Sequence, residues 1–482
     1  MKLVSFFLSN VAALTLFGTV SMSRADVDRT QPPKPGPQPK ASFPDFKQDV
    51  LPNGLKIFTV EDHREPTVNF RLLIKAGDAF DQGRSGLADT TAALLNRGTK
   101  KRTAAQFAQE TDFIGATVEA GSGPDAITVS AEGLTKDLPK VLDLFTDAAL
   151  HPVFPADELV KQQRQAISAL EESKQRSATL AAKLRGKLLY GPDHPYGAFP
   201  TEETINGLKR EDLEKFHDEF FTPDNATLAI VGDIKAADVL PLVEKAFAEW
   251  KTAASDTARQ PKFPDLPKPP EKLTIHLVDR PGSVQSNILV CGRGVERNNH
   301  DVPELGVLNS ILGGGFSGRL FQNLREKHGY TYGSSSSFAY NRVAGIFSAT
   351  AEVRNAVTVP AIEEIFNEIR RIDTDPVPDP ELTMQREYLA GNYLLSLESP
   401  ATTASRVQDI DLYKLPVDYY KTYVSRVTSV SADKIKELAD KYVNSAGLTV
   451  VVVGEAKDIK PALEKLGSVI EYDTDLKAKA TP

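Results

Sequence analysis

The most constraining feature of the sequence is that it is written twice. A proline-rich stretch, Gln260–Pro270 (QPKFPDLPKPP), separates two halves of similar length with the same kinds of element in the same order. Each half opens on two β-rich runs around a polar turn. These are LKIFTVEDHREPTVNFRLLI from Leu55 and LTIHLVDRPGSVQSNILVC from Leu273, each hairpin-like in pattern. Asp137–Leu150 and Thr358–Ile372 follow, with apolar residues three and four apart, as an amphipathic helix requires. A proline turn and a second helical pattern come next, VFPADELVKQQRQAI matching PVPDPELTMQREYLA. Each half closes on a helix and a solidly apolar run, ATLAIVG and LTVVVVG, the composition of a central strand covered on both faces. Five matches in one order imply a duplicated domain of the α+β class. The expected division is residues 44–255 and 272–470 as domains, 256–271 as linker and 471–482 as tail.

Ahead of the first domain, Met1–Ala25 has the pattern of a secretory signal. Lys2 gives the charged start, an apolar run follows, and Ser23-Arg24-Ala25 suits cleavage before Asp26. The run is too short and too polar for a membrane span, and no cysteine follows it for lipid attachment. Residues 26–43 contain PPKPGPQP and read as an extended spacer. The expectation is an exported protein without a stable span after signal removal, periplasmic in a two-membrane bacterium and secreted otherwise.

Composition narrows the function. Over 482 residues, 57 Lys and Arg face 65 Asp and Glu, a net charge of −8, which excludes a broad nucleic-acid footprint. A single cysteine, Cys291, excludes an intramolecular disulfide framework and a Cys-rich metal site. No two of the seven histidines are spaced as a helical ligand pair. The serine run Ser334–Ser337 lacks a G-x-S-x-G elbow, and Gly313–Gly315 is not followed by the Gly-Lys-Ser/Thr of a phosphate loop.

Four segments carry a resemblance: LPNGLKIFTVED, SGLADTTAALLNRGTKKRT (Ser85–Thr103), DNATLAIVGD and GGGFSGRLFQNLREKHGYTYG (Gly313–Gly333). Together the chain resembles the pitrilysin/insulinase-type metallopeptidases, the group that includes mitochondrial processing peptidase. The resemblance implies two homologous α/β-sandwich domains forming a half-chamber. It also implies an inverted zinc motif, H-x-x-E-H, which in register falls on Asp89-Thr90-Thr91-Ala92-Ala93. Asp89 and Ala93 stand where the histidines would be, and Ala92 where the glutamate would be. Neither alanine can bind metal or take a proton. Glu171 and Glu172 fall about where the distal ligand would sit and read as exposed carboxylates on a helix Glu158–Lys174. Joined with Asp89 they would suit a hard cation rather than zinc. The expectation is no metal in this chain, with zinc in a partner subunit.

Within LREKHGYTYG, Arg325 and Tyr332 match the Arg/Tyr pair that the zinc-free subunit of two-component relatives contributes beside the scissile bond. A guanidinium and a phenol suit a carbonyl oxygen that gains negative charge. Without the resemblance, Arg325 would be a solvated residue ending a helix Gly318–Lys327, and Tyr332 would pack in the next strand. Tyr330, Phe338 and Tyr340 would line a substrate wall or fill a core. The implied function is the non-zinc-binding, substrate-binding subunit of an exported heterodimeric zinc metallopeptidase acting on peptides. The alternative is a peptide-binding or structural protein of the same fold with no peptidase partner.

Overall fold

The computed structural model describes residues 42–252 and 261–479. The expected signal, nearly all of the proline-rich spacer and part of the linker lie outside the described residues. Among the described residues, no helix is long and apolar enough to cross a membrane.

Two six-stranded mixed sheets organise the chain. The first contains β1 (Lys47–Val50), β2 (Lys56–Glu61), β3 (Thr67–Ile74), β4 (Thr117–Ser122), β5 (Ile127–Leu134) and β6 (Ala226–Gly232), in the order β1-β2-β6-β3-β5-β4. The second contains β7 (Thr274–Asp279), β8 (Gln285–Arg293), β9 (Thr331–Ala339), β10 (Ile346–Arg354), β11 (Thr449–Gly454) and β12 (Ser468–Tyr472), in the order β12-β7-β11-β8-β10-β9. The duplication is therefore exact in topology over five strands. In both sheets the first of these pairs is parallel and the other three are antiparallel. The sixth strand differs. β1 joins β2 antiparallel from the N-terminal side, whereas β12 joins β7 parallel from the C-terminal side.

One expectation needs correction. The two opening runs of each half are not hairpins, because β6 lies between β2 and β3, and β11 between β7 and β8. The physical reason is burial. β6 and β11 are buried at every residue and take the sheet centre, where apolar side chains on both faces are covered. The hairpin-like pattern reports two strands close in sequence, not two strands paired. At the end of β6, Gly232 has φ +148°, and a Cβ there would lie 2.1 Å from the Thr67 carbonyl oxygen. Glycine is what allows β6 to run this close to β3.

One face of each sheet is packed by its own half. Val68, Phe70 and Leu72 of β3 join Phe145 of the helix Leu138–Leu150, and Ile288 and Val290 of β8 join Ile365 of the helix Thr358–Thr374. The other face is covered by a helix from the opposite half. The helix Ser177–Tyr190, from the first half, sets Leu180 and Leu184 against Val278, Leu289 and Val451 of the second sheet. The helix Pro400–Leu412, from the second half, sets Ala404 and Val407 against Phe58, Val60, Ala229 and Val231 of the first. Polar contacts follow the same reciprocity. Gln408 donates to the carbonyls of Arg71 and Thr227, both at 2.8 Å, and Arg185 donates to Ser348 Oγ at 2.9 Å. Cys291 is fully buried beneath the first-half helix, and desolvation pushes its thiol up to about 12.

Candidate functional site

The degenerate motif occupies the helix Leu87–Leu94, which follows β3 in the first half. Gly86 precedes the helix with φ +98°, a left-handed conformation that favours glycine. Asp81 holds the helix start, its carboxylate oxygens accepting from the backbone N–H of Gly86 at 2.7 Å and of Ala88 at 2.8 Å. A carboxylate there satisfies free amides and complements the helix dipole. Burial nevertheless pushes Asp81 up to about 7, with smaller contributions from Asp78 and Asp89. Asp78 is pushed up to about 6, chiefly by desolvation, although Ser122 Oγ donates to it at 2.5 Å. Asp89 is raised for the same reason, although its side chain remains accessible. Ala92 is buried and Ala93 half-buried.

Zinc requires three protein donors and an open position. This helix offers one carboxylate and two methyl groups, so the residues present do not fit the ion. Glu171 and Glu172 lie on the helix Ala156–Lys174, two residues longer at its start than the sequence implies. Glu171 pairs with Lys174 at 2.8 Å and Glu172 with Arg176 at 3.1 Å. Among the described residues, no group of three His, Cys, Asp or Glu side chains is placed to hold a metal ion.

The segment leading into β9 in the second half is less regular. Where a helix Gly318–Lys327 was expected, Arg319–Phe321 begins α-helical and Gln322–Lys327 continues as a π-helix. Such wide turns are rare and concentrate at functional sites. Arg325 lies within it. Its guanidinium carbon lies 4.9 Å from the centre of the Phe321 ring, Nη1 donates to the Tyr332 carbonyl at 3.2 Å, and Nε is 3.5 Å from Glu326. The fold thus brings Arg325 and Tyr332 together through the tyrosine backbone and leaves the phenol free to face outward.

Tyr332 is 88% exposed, so it does not pack in the strand. Its outward aim has a local cause. β9 pairs regularly with β10 from Ala339↔Ile346 to Ser334↔Ala351, then shifts, so that Thr331 opposes Val353. Tyr332 and Gly333 therefore face the single residue Glu352, the two-against-one arrangement of a β-bulge, which re-aims a side chain. The hydroxyl of Thr331 bridges the bulge, donating to the Gly333 carbonyl at 2.8 Å. Sequence reasoning missed the bulge, the π-helix, Phe321 beneath the guanidinium and the Asp81 cap. A glycine directly after Tyr332 was the available signal for the bulge. Of the neighbouring aromatics, Phe338 packs on Phe347 and stacks with Tyr340 against the second core, while Tyr330 stacks on His328.

β4 and β9 are the equivalent outer strands of their sheets, each paired on one side only. A strand of this kind can accept an extended peptide through backbone hydrogen bonds.

Comparison with known proteins follows the duplication. Residues 56–190 match the family model described as insulinase (peptidase family M16), and residues 207–389 match the model described as the peptidase M16 inactive domain. The uncharacterized zinc protease YmxG of Bacillus subtilis is 24% identical over 401 residues, covering 82% of this chain and 95% of that protein. The uncharacterized zinc protease SCO5738 of Streptomyces coelicolor is 24% identical over 420 residues, covering 86% and 90%. Among solved structures, a peptidase M16 inactive domain protein from Pseudomonas fluorescens superposes with a TM-score of 0.77 at 26% identity, covering 85% of this chain and 98% of that one. A protease from Helicobacter pylori shares the fold at the same TM-score and 21% identity, covering 85% and 99%. The two family matches together take in more than half of the sequence, and the chain belongs to the M16 peptidase family.

Proposed function

We propose that this chain is the zinc-free, substrate-binding subunit of an exported, heterodimeric zinc metallopeptidase acting on peptides. The observation that carries the reading is the contrast between the motif helix of the first half and the segment that leads into β9 in the second. The motif helix offers one carboxylate and two methyl groups, whereas the π-helix and the bulge present Arg325 and Tyr332 at an open sheet edge. Zinc then belongs to a partner of the same fold, and this chain supplies half of the chamber. A peptide aligned at the edge of β9 meets the Arg325 guanidinium and the Tyr332 phenol, which donate to its carbonyl oxygens. These donors are strongest where the carbonyl gains negative charge. The names of the two zinc protease relatives and the match to the inactive-domain model support a role in proteolysis carried out with a partner.

The test is metal content and peptide hydrolysis of the purified protein, alone and mixed with a family member bearing an intact H-x-x-E-H. The expected result is negligible zinc and no hydrolysis alone, with hydrolysis in the mixture. Stoichiometric zinc and activity in the isolated chain would overturn the reading. Peptide binding without activity in any mixture would favour a non-catalytic binding protein. Export is tested by fractionating source cells and sequencing the mature N-terminus, expected at Asp26.

A further inference from the structure

A cavity of about 720 Å³ lies among the second-half helices Val302–Gly313, Asp379–Ser396, Pro400–Leu412 and Tyr419–Thr428. The peptidase reading makes no use of it. Its volume is within the range of small-molecule sites. Five of its lining residues are tyrosines, and two are arginines.

The arginines are placed differently. Arg297 is fully engaged: Nη1 donates to the Tyr419 hydroxyl and Nη2 to the Tyr420 hydroxyl, each at 2.9 Å. The Tyr420 hydroxyl donates in turn to Asp409 at 2.9 Å, and Asp409 lies 3.9 Å from Arg297. Arg406 makes no ion pair within 4 Å among the described residues. Its guanidinium carbon is 4.5 Å from the centre of the Tyr393 ring and 5.7 Å from that of Tyr420. Nη2 donates to Ser396 Oγ at 2.7 Å, and Nη1 is buried without an acceptor. Asp409 acts on Arg406 as well, but this one carboxylate is shared among Arg297, Arg71 and Arg406. A buried N–H left without an acceptor in this way is costly to hold. One added anion would supply the missing acceptor, and the tyrosine faces would hold a flat apolar body attached to it.

We propose that this cavity binds a small organic carboxylate carrying an aromatic or similarly flat apolar body, with Arg406 as the partner of the carboxylate. A carboxylate of this kind uses both the charge and the aromatic walls, whereas inorganic phosphate uses only the charge. The proposal does not rest on the peptidase reading.

Calorimetric titration of the purified protein tests it, with phenylacetate, phenylacetamide, N-acetyl-alanyl-phenylalanine and inorganic phosphate as probes. Phenylacetate is expected to bind at least tenfold more tightly than its amide. Arg406→Met should weaken binding at least tenfold, and Arg406→Lys should restore part of the loss. Tighter binding of the dipeptide would assign the carboxylate to a peptide C-terminus, and tighter binding of phenylacetate to a free aromatic acid. Both outcomes support the site. Three results would overturn it: no binding of either acid at millimolar concentration, equal binding of acid and amide, or tighter binding of phosphate than of either acid. The acid-to-amide comparison uses the unaltered protein and stands even if a variant fails to fold.

Discussion

The two halves build the same five strands, yet the segment from β3 to β4 and its counterpart from β8 to β9 differ. In the first half the motif helix is regular, starts at a glycine and is capped by Asp81. In the second half the helix in the same place, Val302–Gly313, is regular too. The stretch after it, however, contains six residues of π-helix and then a bulge, where the first half has the helix Ala104–Ile114 and β4. Irregular backbone carries a cost that folding alone gives no reason to keep. The half that lost its metal donors has an ordinary helix, and the half that keeps the Arg/Tyr pair keeps the distortions that aim it. Geometry and residue identity thus point to the same half of the chain, the one to which the proposed function assigns substrate contact.

The comparison can be broken most directly by returning the lost donors. The triple variant Asp89→His, Ala92→Glu, Ala93→His returns two imidazole donors and the base. It is expected to take up zinc by elemental analysis, against none in the parent, with Glu171 or Glu172 leaving its ion pair as third donor. No uptake would mean that the loss reaches beyond this helix. On the other side, Arg325→Ala in the active mixture is expected to lower kcat/KM by about 10²–10³-fold with assembly unchanged, as removal of one oxyanion donor does. Tyr332→Phe removes a single hydroxyl and is expected to cost about tenfold. Full activity in both variants would show that the irregular half is irregular for another reason.

The shared part of the comparison is tested by stability. Leu184→Ala and Ile410→Ala each truncate a buried side chain on an exchanged helix and should each cost about 2–5 kcal/mol. Each should shift one common unfolding transition. Two separate transitions would show that the halves fold independently.

The smallest effect is in pH. Asp81 has a folded pKa of about 7, above its ordinary value of 3.8, so the folded protein binds the extra proton. Its contribution to stability is full below about pH 4 and is lost as pH rises towards 7. Buried His217 and His276 act in the opposite sense. Both are pushed down to about 4 by desolvation, so stability is lost as pH falls from 6.5 towards 4. Thermal unfolding of the parent and of Asp81→Asn between pH 4 and 7.5 separates them. The variant should lose the component of Tm that falls with rising pH, and identical profiles would contradict the role given to Asp81.

The duplication and the fully apolar central strands were legible because each is written in residue types alone, as are the alanines in the register of the zinc motif. Ala92 and Ala93 cannot ligate a metal in any fold. Pairing was less legible. LKIFTVEDHREPTVNFRLLI has the periodicity of two strands, but nothing in it states that ATLAIVG, more than 150 residues later, will separate them. The exchange of helices was hidden for a related reason. The apolar spacing of Leu180, Ala181 and Leu184 marks a face for burial without naming the sheet that covers it. Arg325 and Tyr332 were visible as residues, but the wide turn and the bulge that orient them arise from backbone geometry that side-chain patterns scarcely encode.

The exchanged helices also govern the order of events during synthesis. The outer face of the first sheet, with Phe58, Val60, Ala229 and Val231, is covered by second-half side chains between Tyr393 and Val424, with Phe43 and Phe46 beside them. The contact between Arg71 and Gln408 spans 337 positions of chain. While the ribosome is still translating the second half, the first half exposes a broad apolar surface that Phe43 and Phe46 alone are too few to cover. Such a chain depends on chaperones until nearly all of it has been made. A fragment ending at the proline-rich linker would carry that uncovered sheet permanently, so aggregation, rather than a soluble half, is the expected fate of a prematurely terminated product.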